Sequence, residues 1–289
     1  MILGLLIGRG TAFRGVIAAA VLAVLALLSA CAHGPAKTQP DAGRCCAEAE
    51  RQPRWLVAMI EPAAPVVGQV VGHISWRSGY LSEPGIQERI VAGLQPLDLV
   101  FVSSKGRLSG HTIPGLFQHA AIYLGTERDL QALGMWSHPG MAPHHEAIRR
   151  GAMFIEADMK GVHLSPPSVV LNTDRAVTLR PRIATRGWRQ RALATLFSEL
   201  GNRFDFNFDA GQPDRLFCLE LACRAMPELQ LPRDMVYGRE TIIPDRAVYE
   251  AARGHLRLRF VDYVVGDGRS VHHPGRAALT SDIAGKWSG

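Results

Sequence analysis

Of the five cysteines in the chain, Cys218 and Cys223 are the two that fall in a segment able to present a nucleophile from a folded domain. Arg215 to Met226 (RLFCLELACRAM) reads as a helix capped by Asp214. Cys218 then sits near the helix start, where unpaired N–H groups and the helix dipole favour a thiolate. Cys223 is five residues on, about 140° around the helix, and reads as a small core residue. A thiol also needs a base, which is supplied in space and not in sequence. His119 opens the apolar stretch HAAIYLG, and Glu156 follows Phe154 and Ile155 in FIEAD. An unpaired carboxylate in such surroundings is costly. An imidazole N–H would satisfy it, and would fix the tautomer that leaves the second ring nitrogen free for the thiol proton. From the residues alone, a strand-end histidine and a buried structural thiol remain open as blander readings.

The elements that must position these residues follow from periodicity. Helical pieces are expected over Trp55 to His73 and a helix over Glu83 to Leu94. Strands are expected at Asp98 to Ser103, His119 to Gly125, Ala152 to Asp158, Ala176 to Arg180 and Leu256 to Val265. A polar excursion, Thr126 to Gly151, interrupts them. Arg186 to Arg203 is the clearest helix, with Trp188, Ala192, Leu193, Leu196, Phe197 and Leu200 on one face. Phe204 to Asp209 alternates as an edge strand or extended loop would. No repeat of 20 to 50 residues is present, and the element order predicts an α+β domain. The motifs GxGxxG, GxxxxGK[ST], HExxH and GxSxG are absent.

PLDLVFVSS (96–104), QHAAIYLG (118–125), FIEADMKGV (154–162), AVTLRPR (176–182), FDFNFD (204–209) and FCLEL (217–221) occur in that order. Together they resemble the circularly permuted branch of papain-like, NlpC-type cysteine hydrolases, the YiiX/YebB-like group. The resemblance implies a permuted papain-like fold, a small antiparallel sheet packed against helices that include the nucleophile-bearing one. It also implies that Cys218 is the nucleophile, His119 the base and Glu156 the residue that orients the imidazole. Asp205 and Glu220 match supporting positions. The implied reaction is cleavage of an amide or ester through a thioester, needing no cofactor and no metal. The pattern departs at three positions: Leu97 stands where the family has Gly, Gln118 where it has Ser before the histidine, and Leu219 where it has Ser after the cysteine.

The amino terminus bears on compartment. Val16 to Leu28 is an unbroken apolar run of 13 residues, short for a spanning helix and suited to a secretory signal. Leu28-Ser29-Ala30-Cys31 then resembles a bacterial lipobox, with Cys31 lipidated as the first mature residue. The expected organisation is a signal peptide over 1–30, a flexible stalk over 31–54, the hydrolase domain with an N-terminal helical extension over 55–268 and a loose tail over 269–289. Cys45 and Cys46 in the stalk lack the spacing of a zinc or redox pair and are expected to be solvent-exposed. The protein is expected in the cell envelope, lipid-anchored and facing the periplasm, with Ala32 after the lipidation site leaning towards the outer membrane.

The 289 residues carry a net charge of +6, and Arg9 and Arg14 are the only charges among the first 30, so the remainder carries +4. Scattered charge of this size permits attraction to an anionic surface but is no nucleic-acid footprint. The expected substrate is a peptide or amide, cell-wall peptide being the best fit. Two alternatives stay open: a thiol acyltransferase or lipid deacylase resembling lecithin-retinol acyltransferase, and a non-catalytic envelope-binding lipoprotein. His138, His144 and His145 with Glu146 form a rival metal cluster of no established spacing. Arg149, Arg150 and Lys160 either receive an anionic substrate or form a solvated face.

Overall fold

Alternating apolar residues at 99–103, 119–123, 154–158 and 175–181 form strands because each buries one side chain in two on either face of a sheet. In the computed structural model, which describes residues 45–288 except 47, 48, 51, 113, 184 and 213, β1 (Leu99–Ser103), β2 (His119–Tyr123), β3 (Phe154–Asp158), β4 (Gly161–Ser165) and β5 (Arg175–Pro181) join one sheet. Four short strands follow as two separate pairs, β6 (Arg203–Phe204) with β7 (Arg215–Leu216) and β8 (Asp234–Val236) with β9 (Arg239–Thr241). The sheet is completed by β10 (Leu258–Gly266) and β11 (Val271–His272), in the order β11-β10-β5-β1-β2-β3-β4. Every pairing in it is antiparallel. The α+β class is as expected, but the sheet has seven strands and is not small.

Strand β4 is absent from the sequence reading. It returns from β3 across Met159 and Lys160, and Gly161 takes a φ of 94°. A Cβ there would stand 2.4 Å from the Asn202 carbonyl oxygen, so only glycine fits the turn.

Both faces of the sheet are covered. Leu99, Phe101, Ile122, Ile155, Val177 and Leu179 belong to the larger core, together with residues of the helices Arg186–Ser198, Cys218–Ala225 and Pro244–Ala252. Val100, Val102, Tyr123 and Phe154 meet Ile86 and Val170, from the helices Pro84–Ala92 and Pro167–Val170, in the smaller core. The Arg186–Ser198 helix buries Trp188, Ala192, Leu193, Leu196 and Phe197 as read, and stops five residues earlier than expected.

Three expectations are corrected. Residues 269–289 are no loose tail: β11 pairs with β10, and the helix Gly275–Trp287 buries Leu279 and Ile283 in the larger core. The Trp287 Nε1–H also donates to Asp245, 2.7 Å away. The end of the stalk is fastened as well: Cys45 and Cys46 form a disulfide with each other, Cys46 is buried, and Gln52 N–H donates to Tyr237 Oη. Finally, Asp214 does not cap the nucleophile helix. Arg215 and Leu216 pair with Arg203 and Phe204, so the helix starts at Cys218 with Phe217 as its N-cap. The predicted signal peptide, Cys31 and the stalk up to residue 44 lie outside the described residues.

Leu97, standing where the family has glycine, takes a φ of 75° while its side chain is wholly buried. A left-handed conformation costs an L-residue about 1–2 kcal/mol, whereas emptying a buried leucine site costs about 3–5 kcal/mol. Burial wins. Leu97→Gly is therefore expected to lower stability by about 2 kcal/mol or more in denaturant unfolding, despite relieving the backbone. Beside it, Asp98 makes a buried bidentate pair with Arg180 at 2.7 and 2.6 Å, tying the start of β1 to β5. Burial pushes the Asp98 carboxyl up, and the guanidinium opposes that rise.

Candidate active site

Cys218 is the first residue of its helix, so it stands where three backbone N–H groups have no intrahelical acceptor. The helix packs against β2 and β3. His119 is the first residue of β2, and Glu156 lies in β3 opposite Ala121. Residues two apart on a strand share a face, which puts His119 and Glu156 on the same side of the sheet. Their side chains meet: His119 Nε2 donates to Glu156 Oε2 at 2.7 Å. The imidazole also hydrogen-bonds the Cys218 thiol, which leaves Nδ1 for the sulfur. Thus the structure brings together the three side chains that the sequence singled out, from positions 99 and 62 residues apart along the chain.

The electrostatics follow from this chain of contacts. Burial alone would lower the His119 imidazolium, but the hydrogen bonds and charges of Cys218 and Glu156 hold it well above its ordinary value. Burial alone would likewise raise Glu156, yet the His119 hydrogen bond and charge outweigh it and hold the carboxyl at about 2. The pair is therefore charged at neutral pH. Cys218 keeps 7% of its surface exposed and the His119 side chain 26%, so the imidazole edge is where a substrate can approach.

Two neighbours of Glu156 were not foreseen. His163 in β4 lies directly across from it, with Nε2 3.7 Å from Glu156 Oε1 and Nδ1 donating to the Gly161 carbonyl at 3.0 Å. The Ser165 hydroxyl also leans on the carboxylate and helps to lower it, although Oε1 has no donor in good hydrogen-bond geometry. The signal was the short alternation GVHLS after a glycine turn. Asp158 completes a group in which Glu156, Asp158 and His163 each bring a ligand atom within 4.8 Å of the others. A cation there would have to share Glu156 with His119 and Asp158 with the Lys160 N–H, 2.8 Å away. We assign the group to the surroundings of Glu156 and not to a metal.

The supporting residues have definite tasks. Asp205 is buried and accepts from the N–H groups of Asn207 and Asp209 at 3.0 and 2.5 Å, which holds the turn ahead of the nucleophile helix. Glu220 is the third residue of that helix and bonds back to the Phe217 backbone, one half of a capping box. Arg224 Nη2 donates to it at 3.1 Å. Burial nevertheless pushes the Glu220 carboxyl up to about 7. Because the folded value exceeds the unfolded one, this group's contribution is fully present below about pH 4.5 and is lost as pH rises through about 7. The loss is about 3 kcal/mol. Wild type should lose about that much against Glu220→Gln between these two pH values in guanidinium unfolding; parallel pH profiles would refute the assignment.

The remaining candidates lie elsewhere. Cys223 faces the core, and burial pushes its thiol up to about 11. The rival histidines do not converge: His145 stacks on Trp136 and bonds its carbonyl, His144 leans on Phe197, and His138 Nδ1 accepts from Gly140 N–H. Arg149 and Arg150 pair with Glu127 and Glu146. Gln118 lines no cleft; it is buried and donates to the Gly115 and Leu116 carbonyls. Leu219 is also wholly buried.

No curated protein and no solved structure matches the chain. The family model described as permuted papain-like amidase enzyme, YaeF/YiiX, C92 family, matches residues 94–241. That span is just over half of the chain and holds Cys218, His119 and Glu156. The chain therefore belongs to the permuted papain-like amidases of the YaeF/YiiX family, cysteine hydrolases of the amidase/peptidase type that act on peptide or amide bonds.

Proposed function

We propose that Cys218, His119 and Glu156 carry out amide hydrolysis, with peptide of the cell wall as substrate, in a protein tethered to the envelope through Cys31. The observation that supports this most is the unbroken hydrogen-bond chain from the Cys218 thiol through His119 to Glu156, set at a helix start. The Cys218 thiolate adds to the carbonyl carbon, and the oxyanion is received by the free N–H groups of the first helical turn. His119 then gives its proton to the departing amine as the C–N bond breaks, leaving a thioester. The same imidazole takes a proton from water, hydroxide adds to the thioester, and the carboxylic acid leaves as the sulfur is released. Glu156 keeps the imidazole oriented and balances its charge at each stage.

The lipobox at Leu28 to Cys31 and the apolar run before it support a lipid tether facing the periplasm, and Ala32 leans towards the outer membrane. Among the described residues, no helix is long and apolar enough to cross a membrane. Incubation of the protein with muropeptides and, separately, with phospholipids, followed by mass spectrometry of the products, tests the substrate. Release of an amine from muropeptide is expected. Deacylated lipid with intact muropeptide would instead favour the acyl-lipid chemistry that a permuted thiol site also allows.

A further inference from the structure

The helix Ala64–His73 has two apolar faces, and only one of them has a protein partner. Gly68 and Gly72, four residues apart, face inwards: a Cβ on Gly68 would stand 2.4 Å from the Phe206 ring, and one on Gly72 would overlap the Met159 side chain. Gln69 Nε2 donates to the Met159 carbonyl on the same side. Val66 and Val70 share the same four-residue spacing but lie two residues out of phase, about 200° around the helix, and both are exposed. The helix Arg54–Ile60 extends the outer face with Trp55 and Met59, and Ile74 and Trp76 close it at the far end. Trp55, Met59, Val66 and Trp76 are each more than half exposed. From Pro62 to Ile74 the chain contains no Asp, Glu, Lys or Arg. An ordinary solvated helix face carries charge at such positions.

We infer that this stripe docks on a lipid bilayer surface. The chain leading into it argues for that occupant: the described residues start ten positions before Trp55, and the sequence ahead of them holds the 13-residue apolar run and Cys31. The stripe therefore follows directly on a membrane-directed segment. Tryptophans at both ends of an aliphatic stripe match the preference of indole for the interface between headgroups and acyl chains. The net charge of +6 adds attraction to an anionic leaflet. The inference goes beyond the amidase reading, and takes from the tether reading only the nearness of a bilayer. It also says where the site would lie: Phe206 follows Asp205, and Met159 follows Glu156 by three residues. A bilayer against the outer face would then be about one helix diameter, ~10 Å, from these two loops.

Tryptophan quenching tests this without regard to how the chain is tethered, because no tryptophan precedes Trp55. The full chain is reconstituted with vesicles of brominated phosphatidylcholine and phosphatidylglycerol. Quenching is expected from Trp55 and Trp76 and not from Trp136, Trp188 or Trp287, so that Trp55→Phe with Trp76→Phe removes it. Val66→Ser with Val70→Ser should reduce the quenching at least twofold while hydrolysis of a soluble amide is unchanged. Quenching that survives the paired tryptophan replacements would overturn the inference. So would lipid-independent dimerisation, measured by light scattering, that the valine replacements abolish. Persistent quenching in a chain with no amidase activity would uphold the inference and count against the amidase reading alone.

Discussion

Cys218→Ala is expected to lower kcat on an amide substrate by about four to six orders of magnitude while leaving the protein folded. No other group near His119 can take over the sulfur's part. Cys223, five residues on in the same helix, faces the core with its thiol pushed up to about 11, so it is neither exposed nor ionised at working pH. The nucleophile helix does not depend on the sulfur. Its apolar side is formed by Leu219, Leu221, Ala222 and Ala225, its start is held by Glu220 bonding back to Phe217, and Asp205 fixes the turn ahead of it. Removal of one thiol from this frame should cost about 1 kcal/mol. Circular dichroism and a denaturation curve check the fold, and kcat checks the chemistry. A variant that is folded and still turns over would remove Cys218 from the mechanism.

Glu156→Gln is expected to have the second-largest effect, and its signature is in the pH profile. The imidazolium of His119 is raised because the Cys218 and Glu156 contacts outweigh burial, and Glu156 is held at about 2. Coupling between the two is mutual, so a carboxyl lowered by about 2.5 units is matched by a rise of similar size on its partner. A glutamine keeps an oxygen that can accept from Nε2–H but loses the charge. His119 should then deprotonate about two pH units lower, and the alkaline limb of kcat/KM should move down with it. Turnover at neutral pH should fall about a hundredfold. Stability carries the same sign. Wild type holds the Glu156 contribution above about pH 4.5 and loses about 3 kcal/mol of it as pH falls through about 2. The variant lacks that contribution at every pH. An alkaline limb that does not move would show that Glu156 does not govern the imidazole.

The parts of the fold visible in the sequence are those where one local period decides the structure. HAAIY and FIEAD alternate between two buried faces, and Trp188, Ala192, Leu193 and Leu196 mark one side of a helix, so these elements were legible. The triad was legible for a related reason: a histidine at a strand start, a carboxylate among apolar residues and a cysteine in an amphipathic helix are each costly unless they find one another. What was missed depends on long-range pairing. GVHLS is a strand because β3 offers it an edge, and nothing in its composition places His163 opposite Glu156. Residues 275–287 look polar, yet Leu279, Ile283 and Trp287 recur every four residues and find partners in the larger core. Asp214 is a good capping residue in isolation, but pairing of Arg215 and Leu216 with Arg203 and Phe204 moves the helix start to Cys218. That shift places the nucleophile in the first turn.

The central claim is that the Cys218 sulfur becomes bonded to the acyl part of the substrate. Acid quenching during turnover of a peptide amide, followed by peptide mapping with mass spectrometry, reads this directly. The account predicts a hydroxylamine-labile acyl mass on the peptide carrying Cys218, lost in His119→Ala. Turnover with no adduct on Cys218, or with the acyl group on Cys223, would contradict it.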